Sequence, residues 1–501
     1  MGLHRLAFVY PPYIIATCVL VVAVCFIRIW QTTQRRLKVL GGRGAFVPGP
    51  PFGLHIAYGL IKNWFCDELV EYCSDLQRRF GHTIDLEILG MRLVFTDEPR
   101  NLEAIMSSKF NDYGKGKDLH RTWKDLMGNS IFATDGNIWR NSQKLLRPHL
   151  SKGRGSDFGR TEPHVQELLD KFSMKQIVDV SDLSSRFAFD VVSDIFLEES
   201  ANTLKSEKFP FGEAMDKLQA YNTIRTCFGW FGSMMPTVFL RGAMVEVEKY
   251  LKLQVERIIA MPVYGTSDKE AQNNRLVDSL RSKCGSAKEM RDQLIAVLLA
   301  GKDPFGLTLA WALYELARHP EVVGKLKSEI AMTIELGRNP TSQDLHRMPY
   351  LKNIVQETLR LYPPLGFNVR VAVEDTSLPV GSGATGQDPV GILKGTQIAY
   401  SVASLHHNVD IVGPDANVFK PERWETWKPN KWEYLPFNHG PRVCLGRNFS
   451  LLQLRYTLCR LFQEFESVSL AGSGEQKKAL RVELNLKPAS PILCTFHSRR
   501  Q

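Results

Sequence analysis

The chain is expected to fold as a mainly α protein with a small β region, one large domain preceded by a single transmembrane helix. Three observations carry that expectation. Stretches with apolar residues three and four apart dominate, alternating stretches are short and few, and only one segment is long and apolar enough to span a bilayer. With 44% hydrophobic and 23% charged residues among 501, and no homopolymer or Gly/Ser tract, the disordered, collagenous and predominantly membrane-embedded classes are excluded.

The apolar segment comes first. Residues 6–27 carry no charge, and at about 1.5 Å per residue they would cover about 33 Å, enough for a hydrocarbon core of about 30 Å. Pro11 and Pro12 fall near its start, where a helix tolerates them, and Arg28 and Trp30 close it at the interface. A cleaved signal peptide is the competing reading. It would have a shorter apolar core and small residues at a cleavage site, whereas Arg35, Arg36, Lys38 and Arg43 follow here. A retained anchor is therefore expected, with the body on the cytosolic side by the positive-inside rule. The expected division is 1–30 for the anchor, 31–51 for a basic, proline-rich hinge, and 52–501 for the body.

Within the body, helices are expected over 67–80, 178–197, 242–259 and 288–318. Strands are expected over 83–96, turning at Gly90, and over 392–400 and 482–496. Lys and Arg number 63 against 53 Asp and Glu, a net charge of +10, which suits an anionic membrane or an acidic partner; no long basic run points to nucleic acid. Nine scattered cysteines without a Cys-x-x-Cys pair argue against a disulfide framework and for a reducing compartment.

The most informative segment is Phe437-Asn-His-Gly-Pro-Arg-Val-Cys-Leu-Gly446, just ahead of a helical pattern. A cysteine at a helix N-terminus meets unpaired N–H groups and the positive end of the dipole, both of which favour a thiolate. Arg442 adds a cation, and Gly440 and Gly446 allow a turn or the close approach of a flat ligand. This pattern resembles the haem-binding signature of the cytochrome P-450 family, so the body is expected to be a single cytochrome P-450 fold. The resemblance implies Cys444 as the axial ligand of haem iron, with Phe437, Arg442 and Gly446 packing against haem b or holding its propionates.

Further motifs match the same family. Glu357 and Arg360 lie three apart on a helical stretch and, with Arg423, resemble its Glu-x-x-Arg network, a structural assembly. Arg370 fits a propionate-contacting position, and Trp139 fits the aromatic of a Trp-x-x-x-Arg pattern whose arginine is Gln143 here, with Arg140 or Lys144 as conceivable substitutes. His120 lies where members contact haem or substrate, a solvated loop histidine being the alternative. Ala300, Leu365, Phe367 and Val369 fall at substrate-contacting positions. Segments such as Gly128-Asn-Ser-Ile-Phe-Ala-Thr-Asp-Gly136 look most like the fungal microsomal branch that hydroxylates alkanes and fatty acids.

One motif departs from the pattern. Ala300-Gly-Lys-Asp-Pro304 stands where the family runs Ala-Gly-x-Asp/Glu-Thr, so Asp303 is kept and the hydroxyl is replaced by Pro304, with Thr308 one turn on. Proline has no N–H for the carbonyl of Ala300 and is expected to open the helix there. Asp303 with ordered water is the expected route for protons.

The resemblance implies an enzyme of the endoplasmic reticulum membrane that inserts one oxygen atom from O2 into a fatty acid, alkane, terpenoid or polyketide. Electrons would come from NADPH through a separate NADPH-cytochrome reductase. Because Pro304 removes the hydroxyl, a haem-thiolate isomerase or dehydratase remains the alternative, and a haem-keeping binding protein a third.

Overall fold

The structure is a computed structural model that describes residues 10–153, 155–174, 176–262, 275–335, 337–472 and 479–498. Helix α1 (Tyr10–Val39) opens it, and residues 6–9 of the expected span lie outside the described residues. Ile15, Val22, Phe26 and Trp30 are all exposed on α1, as a helix meant for a bilayer requires. No glycine or proline interrupts the chain from residue 13 to residue 40, so the helix runs past residue 30 and the expected hinge is helical up to Val39. At its end Leu37 is buried and Arg36 pairs with Asp375, which fixes the helix to the body.

The helices that build the site are α2 (Leu69–Phe80), α3 (Lys117–Met127), α4 (Gly136–Leu150), α5 (Val180–Leu197), α6 (Pro210–Cys227), α7 (Arg241–Ala260), α8 (Ala287–Arg318), α9 (Pro349–Leu361) and α10 (Arg447–Glu464). The strands are short: β1 (Ala45–Phe46), β2 (Thr83–Ile88), β3 (Met91–Thr96), β4 (Tyr113–Gly114), β5 (Val178–Asp179), β6 (Phe367–Ala372), β7 (Thr376–Ser382), β8 (Asp388–Ile392), β9 (Gln397–Ser401), β10 (Phe465–Leu470), β11 (Leu480–Val482), β12 (Leu486–Pro488) and β13 (Leu493–Ser498). The main sheet has the order β1-β2-β3-β9-β6-β4, and β10-β13-β5, β11-β12 and β7-β8 form smaller sheets.

Helix α8 is the axis of the core. Its start is fixed by the Ser286 hydroxyl, which accepts the Glu289 N–H at 3.1 Å. It is apolar enough to cross a membrane, but it is mostly buried: Leu298, Leu309 and Leu313 have no exposed surface. Burying such a side chain contributes roughly 1.5–3 kcal/mol. It packs most extensively on α5, and two glycines permit the close approach. A Cβ on Gly301 would lie 2.6 Å from the Val192 side chain, and one on Gly306 would lie 2.9 Å from the Ser184 carbonyl. Gly301 therefore serves helix packing.

Three expected elements divide. The expected strand over 392–400 is two strands, β8 and β9, because Gly395 at φ +87° turns the chain and Thr396 donates to the Leu393 carbonyl. The expected strand over 482–496 becomes the hairpin β11–β12 followed by β13, which pairs with β10. The expected helix over 178–197 starts at Val180, because residues 178–179 pair with β13 and the Asp179 carboxylate caps the N–H groups of Ser181 and Asp182.

Candidate active site

The cysteine loop runs into α10. Cys444 donates its N–H to the Phe437 carbonyl at 3.0 Å, and the N–H groups of Gly446 and Arg447 point at its sulfur. Burial pushes the Cys444 thiol up, and the two N–H groups with the Arg447 charge pull it down without prevailing. The N–H groups thus favour the thiolate as the sequence suggests, against the cost of burial, and a coordinating metal removes such a proton outright. Cys444 keeps exposed surface although protein surrounds it, so it lines a cleft inside the molecule. A Cβ on Gly446 would meet nothing closer than the Cys444 sulfur and the Ser450 hydroxyl, both 4.0 Å away, so the approach beside the sulfur is open. Gly440 has another role: at φ +68° its Cβ would lie 1.8 Å from the Met106 carbonyl, so glycine lets the loop dock on that backbone.

Cations gather beside the loop. Arg442 donates to Asp135 at 2.6 Å and to the Thr134 carbonyl at 2.8 Å, and lies over the Trp139 ring at 4.5 Å. Burial, with Arg370 nearby, pushes its guanidinium down to about 10. Arg370 donates to the Asn368 side chain at 2.9 Å and lies over the Tyr400 ring at 5.7 Å. Sequence reasoning missed a third cation, Lys115, whose Nζ donates to the same Asn368 oxygen at 3.2 Å. The glycines that flank Lys115 at the foot of α3 were the available signal. Neither expected substitute for the missing arginine turns inward: Arg140 bonds to Asn137 on its own helix and Lys144 is exposed. Gln143 donates to the Pro441 carbonyl at 2.7 Å and so braces the cysteine loop.

On α8, Ala300 is exposed and Pro304 and Leu307 are half-buried in the mostly buried middle of the helix; the spacing of four and three puts them on one face. Helical structure carries through Pro304 without a break, so the proline removes one hydrogen bond and leaves the helix intact. The Thr308 hydroxyl donates to the Pro304 carbonyl at 2.7 Å and is thereby occupied. Asp303 is bound elsewhere: it pairs with Lys302 at 2.7 Å and accepts from Gln219 of α6 at 2.8 Å. Lys302 and Lys487 also reach Asp216, at 3.3 and 3.0 Å. Burial raises the Asp303 carboxyl, but Lys302 and Lys487 outweigh it and hold the group below the ordinary carboxylate range.

The other expected residues are placed as follows. His120 faces the Ala133 carbonyl through Nδ1 at 3.0 Å, which ties α3 to the following loop. Leu365 is half-buried, the Phe367 ring stacks on Phe95 at 6.3 Å, and Val369 lines a small cleft with Leu119, Thr122 and Thr226. Strand alternation puts Phe367 and Val369 on the face of β6 opposite Arg370.

Behind the loop, Glu357 has no exposed surface and is surrounded by donors. Arg360 binds it through two parallel hydrogen bonds of 2.9 and 2.8 Å, Arg423 at 3.3 Å, and the Trp424 indole at 3.0 Å. Arg360 continues to the carbonyls of His406 and Ala416, and Arg423 to Asp415. Trp424 and Asp415 complete the network and were not anticipated.

An iron porphyrin with acidic side groups passes the test of this donor set. One soft sulfur faces an open approach, and beside it stand Lys115, Arg370 and Arg442, of which Arg442 pairs with Asp135, a carboxylate that also accepts the N–H groups of residues 115 and 116. Fold and loop together define a class: a mainly helical protein that presents one cysteine, at a helix N-terminus, to an interior cleft flanked by cations. The chain belongs to the cytochrome P450 family, whose family model matches residues 47–495. It is 35% identical to "Cytochrome P450 monooxygenase pvhE" of Talaromyces variabilis, with 97% of this chain and 96% of that one covered. It is 32% identical to "Cytochrome P450 52A13" of Debaryomyces hansenii, with 87% and 88% covered. "Cytochrome P450 monooxygenase himC" of Aspergillus japonicus is also 32% identical, over 83% of this chain and 76% of that one. The family gives the protein a haem iron cofactor, a redox partner and a hydrophobic substrate, and makes it a monooxygenase.

Proposed function

We propose that the protein binds haem b through Cys444 and inserts one oxygen atom from O2 into a long apolar substrate, a fatty acid or alkane before a terpenoid or polyketide. The observation that carries the reading is Cys444, open to an interior cleft at the start of α10. When bound, the iron porphyrin supplies oxygen activation, and a thiolate ligand donates electron density that favours O–O cleavage. The chain's own residues bind and orient it. Cys444 holds the iron, Arg370 and Arg442 hold acidic side groups, and Trp139 supports Arg442 from below. The face formed by Ala300, Pro304 and Leu307 offers the substrate an apolar wall and no hydroxyl. Asp303, fixed as a carboxylate by Lys302, shapes the field along α8 and holds no proton to give. Preference for an alkane or fatty acid rests on the branch that the sequence resembles.

Electrons come from NADPH through a membrane-bound reductase. A groove of about 280 Å³ beside the cysteine loop supports this: Lys352, Lys431, Arg447 and Arg455 line it with no carboxylate among the described lining residues. An acidic flavoprotein surface is the complement of such a groove. Arg442 does not line this groove and turns inward to Asp135. The apolar α1 supports anchoring in a membrane, proposed here as that of the endoplasmic reticulum with residues 52–501 as a cytosolic catalytic domain.

A second reading is favoured by one observation. Position 304 has no hydroxyl, and the hydroxyl of Thr308 is bonded to the Pro304 carbonyl. An isomerase or dehydratase acting on a peroxide-like substrate needs neither a proton-delivering hydroxyl nor a reductase. Product analysis of membranes holding the enzyme and reductase, with a lipid panel and with or without NADPH, decides between the two. Oxygenated product that requires NADPH is expected; turnover without NADPH selects the second reading.

A further inference from the structure

The cations beside the cysteine loop outnumber the carboxylate available to them. Arg442 comes from the loop, Arg370 from β6 and Lys115 from the segment between β4 and α3; Asp135, at the head of α4, is the anion that faces Arg442 and Lys115. Asp135 is already engaged. It accepts the N–H of Lys115 at 2.9 and 2.8 Å and that of Gly116 at 3.0 Å, and it pairs with Arg442 at 2.6 Å. The backbone of residue 115 is thus pinned by Asp135, while among the described residues its ammonium donates only to the neutral Asn368 oxygen, shared with Arg370. An ammonium has three protons to donate, and one goes to that oxygen.

Electrostatics agree with the geometry. Burial, then the charges of Arg370 and Arg442, push Lys115 well below its ordinary range, with Asp135 opposing. Asp118 shares a small cleft with Lys115, but no ion pair joins them. Of the three cations, Arg442 is paired with Asp135, while Lys115 and Arg370 meet at the neutral Asn368 oxygen, which leaves both of them able to take an acidic side group of a haem. Two of those cations stand at positions expected from the family pattern. The third does not, and the position where that pattern has its arginine is Gln143, a neutral side chain tied to the Pro441 carbonyl.

We propose that Lys115 is the third cation for the acidic side groups of the haem, taking over from the arginine that position 143 lacks. The proposal rests on the reading of Cys444 as the haem ligand. Charge at 115 anchors the cofactor from the segment before α3, and so ties haem retention to the start of the helix that carries His120 and Trp123.

The test is haemin transfer from the full-length, haem-loaded protein to excess apomyoglobin, followed in the Soret region, with far-UV circular dichroism confirming that each variant is folded. Lys115→Met should lose haem about 10- to 100-fold faster than the parent, the range for one hydrogen bond to a charged group. Lys115→Arg should stay near the parent rate, and Gln143→Arg placed in the Lys115→Met protein should restore retention. Parent-like loss from Lys115→Met overturns the proposal. Equal acceleration in the Met and Arg variants assigns Lys115 a packing role and also overturns it. Failure of Gln143→Arg to restore retention overturns the exchange of positions. Failure of the underlying reading looks different: the parent itself would then take up no haem with a thiolate spectrum.

Discussion

Substitution of Glu357 by glutamine tests the network behind the cysteine loop at its centre. Glu357 is fully buried and accepts from Arg360 twice, from Arg423, from the Trp424 indole and from the Lys420 N–H. Glutamine has nearly the same shape, but its NH2 is a donor where Arg360 or Arg423 also donates, and both guanidiniums lose their buried counter-charge. Removing one partner from a buried pair costs about 3–5 kcal/mol. Arg423 supplies the internal control. Its other carboxylate, Asp415, is 35% exposed at the side chain, so solvent screens that pair and Asp415→Asn should cost about 0–1 kcal/mol. The assay is urea unfolding of the detergent-solubilised protein, followed by far-UV circular dichroism, at equal slopes. The reasoning is refuted if Glu357→Gln costs under about 1 kcal/mol, or if Asp415→Asn costs as much as Glu357→Gln.

Other outcomes follow from the same geometry. Burial, with Arg360 nearby, pushes His406 down to about 3, so the fold holds it neutral, with Nε2 accepting the Leu435 N–H at 2.8 Å. Its stabilising contribution is complete above the unfolded value of about 6.5 and is lost as pH falls from there toward the folded value. His406→Gln should therefore show a shallower fall in urea midpoint between about pH 6.5 and 4.5 than the parent, and parallel curves would contradict this. Pro304→Thr should raise product and lower peroxide severalfold per NADPH consumed; unchanged coupling would make the proline a tolerated helix residue without catalytic consequence. Lys431→Glu with Arg447→Glu should slow reductase-dependent reduction about tenfold at low salt, with the difference closing at high salt. A salt-independent loss would place the docking face elsewhere.

What the sequence made legible follows contact range. The cysteine loop, the Glu357–Arg360 pair and the hairpin at Gly90 are local, and all three have the geometry that their spacing suggests. Helix α8 was readable to within one residue, because its apolar pattern is long. Residues joined across the chain were not readable. Lys115 meets Asn368, Asp303 meets Gln219 and Asn485, and Glu357 meets Trp424, and none of these pairs has a spacing that sequence can interpret. Gly301 and Gly440 were visible as glycines, but their reasons are distant: Val192 for one and the Met106 carbonyl for the other. The balance at Cys444 has the same origin. The helix N-terminus was evident, whereas the burial that outweighs it depends on everything packed around α10. The partners of Asp303 are likewise distant in sequence, Gln219 on α6 and Lys487 near the C-terminus.

The central claim is that Cys444 is the ligand of the haem iron. The direct measurement is the difference spectrum of the reduced, carbon-monoxide-treated protein against the reduced protein, for the parent and for Cys444→Ser. The parent should show the red-shifted Soret band of thiolate-ligated haem, and Cys444→Ser should lose it while keeping its far-UV circular dichroism. A Cys444→Ser protein that keeps the red-shifted band would contradict the claim.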